Sequence, residues 1–148
     1  MSENRPESVL AQWFRRVWNE SDPSAIEELA APDVVSHGLL ESIHGRDHWR
    51  DVFYNPMRAS FDAVQIEVLD ELSGGDRTFM RLVATMTPKT TGQPVTMKGT
   101  CVARIENGRI AEAWDTWDFL GLLEGMNLLP KESFGRAITG QFEKHPLA

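Results

Sequence analysis

Asn107-Gly108 is the point in this sequence that most limits what the chain can become. Both residues tolerate positive φ, so the pair predicts a two-residue type I′ turn between two strands. Val95–Glu106 before it and Arg109–Asp118 after it are strand-like in composition. The turn sets Glu106 opposite Arg109, and further pairs follow by counting. Ile105 meets Ile110, Ala103 meets Glu112, Cys101 meets Trp114 and Met97 meets Asp118. These residues share one face, the more apolar one, which is expected to point inward. Asp115 and Trp117 then point outward with Thr100 and Lys98. A bulge in the last strand would reverse this assignment beyond it.

The rest of the chain supplies helices first and strands afterwards. Val9, Leu10, Trp13, Phe14, Val17 and Trp18 recur at helical spacing. Asp22-Pro23 opens a second helix, which should stop before Pro32. A short extended piece over Asp33–His37 follows. Trp49, Val52, Phe53 and Met57 mark a third helix after Gly45, ended or kinked at Pro56. Val64, Ile66 and Val68 alternate with polar residues as in a strand, and Arg77–Thr87 is the next one. Phe119–Met126 and Phe134–Phe142 read as short helices. This order predicts an α+β fold, a curved antiparallel sheet wrapped by the N-terminal helices into a cone. A pocket between sheet and helices is the expected ligand site. The 148 residues suit one domain over 1–148.

Composition excludes several function classes. The net charge is −7 and the basic residues are scattered, so no nucleic-acid partner is expected. No apolar run approaches the ~20 residues of a membrane span. The N-terminus lacks a signal-peptide layout, and the expected location is cytoplasmic. One cysteine permits no internal disulfide. No phosphate-binding glycine loop is present, and His44 and His48 have no acid partner at metal-ligand spacing, so neither cofactor nor metal is expected. Five tryptophans against one tyrosine suggest a pocket lined by rings. Trp13, Trp49, Phe53 and Trp114, with Met97 and Cys101, are the candidate substrate contacts. The ligand expected is a small hydrophobic molecule. The outer face carries Trp117 and Val102, which suggests a homodimer through the sheet.

The catalytic candidates are Asp118 and His37. On the counted register Asp118 lies on the apolar face near an indole, where desolvation raises a carboxyl pKa and suits it to proton transfer. The competing reading is a helix N-cap, since Phe119-Leu120-Gly121 follows directly. His37 reads as a pocket proton carrier or as a loop histidine. Cys101 reads as a small buried apolar residue. Glu112 reads as an ion-pair partner about 20 Å from Asp118 at ~3.3 Å per residue.

Pro32-Asp33-Val34-Val35-Ser36-His37, Gly45-Arg46-Asp47-His48-Trp49 and Gly108–Trp114 leading to Asp118–Leu123 together resemble the SnoaL-like polyketide cyclases. These belong to the nuclear transport factor two-like superfamily of α+β cones. The resemblance covers nearly the whole chain, and the last segment is its most specific part. It implies an intramolecular aldol condensation without metal or organic cofactor. It assigns Asp118 as acid/base and matches His37 to a pocket histidine. The chain departs from the pattern at Ala113, where many relatives carry histidine.

Overall fold

A computed structural model of the chain describes residues 5–141. His145 and the end of the helix expected over Phe134–Phe142 lie outside the described residues. The fold is α+β, as expected. Its centre is a six-stranded, curved and unclosed sheet in the order β2-β1-β6-β5-β4-β3. The long strands are β3 (Phe61–Gly74), β4 (Arg77–Pro88), β5 (Val95–Glu106) and β6 (Arg109–Trp117). They form the expected antiparallel meander.

The extended piece near His37 is longer than its sequence suggests. It is β1 (Ala30–His37), which runs through Pro32 and pairs in parallel with β6. The sheet is therefore not purely antiparallel. The short β2 (Ile43–His44), not expected from the sequence, pairs with β1.

The helical segments are α1 (Val9–Gln12), α2 (Ser24–Leu29), α3 (Arg46–Trp49), α4 (Asn55–Ser60), α5 (Phe119–Gly125) and α6 (Ser133–Ile138). Two of them run on as π-helix, α1 over Trp13–Asn19 and α3 over Arg50–Tyr54. Pro56 neither ends nor breaks the third helix. It stands in the first turn of α4, at the change from π to α winding, where a missing N–H is tolerated. No helix among the described residues is long and apolar enough to cross a membrane.

The inner face of the sheet is set by alternation. Thr78, Met80, Leu82, Ala84 and Met86 of β4 are all buried. The helices lay Leu10, Phe14, Val17, Trp18 and Trp49 against that face. The aromatic rings meet one another there. Trp13 and Trp49 lie 5.0 Å apart, and Trp18 meets Trp49 and Tyr54 edge-on at 6.1 and 5.3 Å.

Candidate active site

The site depends on one inserted residue. The Asn107-Gly108 turn forms as expected, with both residues at positive φ, Glu106 opposite Arg109 and Ile105 opposite Ile110. Arg104 then pairs with Glu112, so Ala111 is an extra residue in β6. A bulge of this kind exchanges the two faces beyond it. Ala113 comes opposite Ala103, Trp114 opposite Val102, Asp115 opposite Cys101 and Trp117 opposite Gly99. Asp115 and Trp117 therefore point inward, and Glu112 and Trp114 point outward. This corrects the counted register at all four residues.

The inner face lines a partly open cavity of about 100 Å³ between sheet and helices. Of the expected contacts, Trp13, Trp49, Phe53, Met97 and Cys101 line it. Trp114 does not. Trp18, Trp117, Phe119 and Met57 are further lining residues, and α5 adds Leu122. Polar residues in the lining are few: Ser36, Arg46, Cys101 and Asp115, beside the indole N–H groups of Trp13, Trp18, Trp49 and Trp117.

Asp115 is the carboxyl that faces this cavity. Trp117 Nε1 donates to its Oδ1 at 3.1 Å, and the Cys101 thiol also interacts with it. It makes no ion pair among the described residues. Burial in an apolar lining pushes its pKa up to about 6, against the smaller lowering effect of the Trp117 and Cys101 hydrogen bonds. Burial, and then the Asp115 charge, push the Cys101 thiol well up, so it stays a neutral thiol.

Two glycines let Asp115 and Trp117 sit where they do. Gly99 lies under the Trp117 ring, where an added Cβ would be 2.2 Å from an indole carbon. Gly38 sits at φ +91°, where an added Cβ would be 1.8 Å from the Asp115 carbonyl oxygen. Only glycine permits that approach.

Asp118 stands elsewhere. It is exposed, does not line the cavity and caps α5, with Oδ1 accepting from Gly121 N–H at 2.9 Å. The placement expected for it on the apolar face is corrected by the bulge. His37 is also outside the cavity. Ser36 of β1 faces inward, so its neighbour His37 faces out. There Nε2 meets Glu112 Oε2 at 2.7 Å, Nδ1 meets Ser42 Oγ at 2.8 Å, and the ring stacks on Trp114 at 5.6 Å. Glu112 also meets Arg104 at 3.6 Å. The His37 hydrogen bond is the main cause holding the Glu112 pKa below the usual range. Glu112 is thus an ion-pair partner, as its sequence suggested, but on the outer face.

The sequence reading missed Asp115 as the inward acid, and nothing in the local sequence announces Ala111 as the inserted residue. The two π-helical segments are a structural signal that points the same way. Such turns recur at functional sites, and here they carry Trp13, Phe14, Trp18 and Phe53 into the cavity.

The model of the SnoaL-like polyketide cyclase family matches residues 8–125. The chain belongs to that family. Among solved structures it is similar to IdmH of Streptomyces antibioticus, provisionally described as a polyketide cyclase. The two share 26% identity over 80% of this chain and 96% of that one, with a TM-score of 0.69. AclR of Streptomyces galilaeus, provisionally described as a hydroxylase, shares 24% identity over 83% and 92%, with a TM-score of 0.68. A Catenulispora acidiphila protein with a ketosteroid isomerase-like fold, solved with trimethylamine, shares 17% identity over 85% and 96%, with a TM-score of 0.74. No curated protein matches the chain. The latter two likenesses, both under 25% identity, show the fold alone, and the fold does not fix the reaction.

Proposed function

We propose that the chain is a cofactor-free acid/base catalyst of the cyclase type, acting on a small hydrophobic carbonyl compound, with Asp115 as its proton carrier. The observation that carries this is that Asp115 is the one carboxyl among the described residues that lines a mostly apolar cavity, with a pKa raised to about 6. A base of that strength is mostly ionised at neutral pH and still able to give its proton back.

One carboxyl suffices for the proton balance of an intramolecular aldol closure. Asp115 takes a proton from the carbon alpha to a carbonyl. The enolate carbon attacks a second carbonyl carbon of the same molecule, forming the new C–C bond and an alkoxide. Asp115 returns its proton to that oxygen and is again a carboxylate. Trp117 holds one carboxylate oxygen in place. The neutral Cys101 thiol is a further donor toward the same carboxyl.

The test is hydrogen exchange at the alpha carbon of a hydrophobic model ketone, β-tetralone, followed by NMR in D2O. The chain is expected to accelerate exchange, with a rate that rises with pH through about 6. Asp115→Asn is expected to fall to background. Wild-type exchange no faster than buffer would instead favour a non-catalytic pocket for a hydrophobic ligand. The apolar lining supports that second reading equally well.

A further inference from the structure

Arg46 is a cation in the cavity wall that the proton chemistry above does not use. It is the first residue of α3 and is half-buried. Its Nη1 donates to the backbone oxygens of Glu27 and Ala30 at 3.0 and 3.1 Å, which ties it to the end of α2. Those two bonds occupy one nitrogen. Nε and Nη2 have no acceptor among the described residues, and no carboxylate pairs with this guanidinium. No buried side-chain nitrogen or oxygen in the described residues lacks a partner, so these free N–H groups reach accessible space. The other arginines with resolved ion pairs, such as Arg15, Arg16 and Arg104, lie away from the cavity.

The cavity is thereby given two ends. Ala30, which Arg46 holds, pairs with Ile110, and Asp115 pairs with Cys101. Between Ile105, opposite Ile110, and Cys101 lie four steps of β5, about 13 Å at ~3.3 Å per residue. A guanidinium with one edge free is shaped to take two oxygens of a carboxylate side by side. A partly desolvated cation without a counter-ion favours such a partner more than it would in water.

We infer that the natural ligand is an elongated hydrophobic carboxylic acid, its carboxylate on Arg46 and its reacting carbons near Asp115. This rests on the reading of the cavity as a ligand pocket. The acid end anchors and the far end reacts, so Arg46 is a binding residue and not a proton carrier.

The test compares naphthoate with naphthamide, which share shape and differ in charge, by quenching of the pocket tryptophans. Wild type is expected to bind naphthoate at least about tenfold more tightly, roughly 1.4 kcal/mol. Arg46→Met should lower naphthoate to the level of naphthamide and leave naphthamide within about twofold. Arg46→Lys, which keeps the charge and guards against a folding defect in the Met variant, should retain part of the preference for the acid. Equal binding of both probes by wild type, or equal weakening of both in Arg46→Met, would overturn the inference while leaving the pocket reading standing. Binding of neither probe would overturn both.

Discussion

At the scale of single residues, Asp115 sets function against stability. Its folded pKa of about 6 lies above the ordinary 3.8 because ionising it inside the cavity forfeits water. Well below pH 3.8 the carboxyl is neutral whether the chain is folded or not, and its burial carries no charge penalty. As pH rises through about 6 the folded carboxyl must ionise, and that stability is lost. Two units at ~1.4 kcal/mol each give about 3 kcal/mol as the ceiling of the effect. Asp115→Asn keeps an acceptor for Trp117 and removes the charge. It is therefore expected to be more stable than wild type near pH 7.5, by up to about 3 kcal/mol, and close to it near pH 4. Urea unfolding at the two pH values measures this directly, and a variant that is less stable near pH 7.5 would contradict the buried charge. Asp118 offers the contrast. Removing its cap by Asp118→Ala should cost about 1 kcal/mol near neutral pH and leave exchange on β-tetralone unchanged.

At the scale of elements, the architecture was legible in the sequence and the face of its last strand was not. The period of two in β3, the Asn107-Gly108 turn and the helical spacing of Val9–Trp18 each report a local preference, and each element stands where that preference puts it. Facing is different, because it accumulates along the strand from the turn. One inserted residue, Ala111, changes every assignment after it. Small and apolar, Ala111 carries no mark of the bulge, and the strand carries tryptophans on both faces at Trp114 and Trp117, so hydrophobicity could not arbitrate. The signal that was readable is Gly99. A glycine in the interior of β5 marks a close approach, and the residue approaching it is Trp117. Gly99→Ala is expected to push the indole off its seat and destabilise the fold by about 1–3 kcal/mol. Because that indole holds Asp115, the same variant should also raise the Asp115 pKa and move the exchange profile to higher pH. Loss of stability without that displacement would separate Trp117 from the carboxyl it is said to hold.

At the scale of the whole molecule, the bulge that turns Asp115 inward also builds the outer face. The cross-strand register sets Leu72 beside Phe79, Phe79 beside Val102, Val102 beside Trp114 and Trp114 beside His37. This row crosses five strands, about 19 Å at ~4.8 Å per strand. Leu72 is 73% exposed and Phe79 is 47% exposed, more than isolated surface residues need to be in a row of this kind. Charges of both signs flank it. Arg77 lies over the Trp114 ring at 5.0 Å, Arg104 pairs with Glu106 and Glu112, and Arg81 pairs with Asp70. A face that carries an apolar row with mixed charges beside it can be its own complement across a two-fold axis. We propose that two copies of the chain associate through this face. Phe79→Glu places a charge in the middle of the row and points away from the cavity, so it should leave the exchange reaction intact. Light scattering on the eluting peak should give a dimer mass for wild type and a monomer mass for Phe79→Glu. A monomeric wild type would end the proposal. A variant that is monomeric and inactive would show instead that the pocket depends on the second copy.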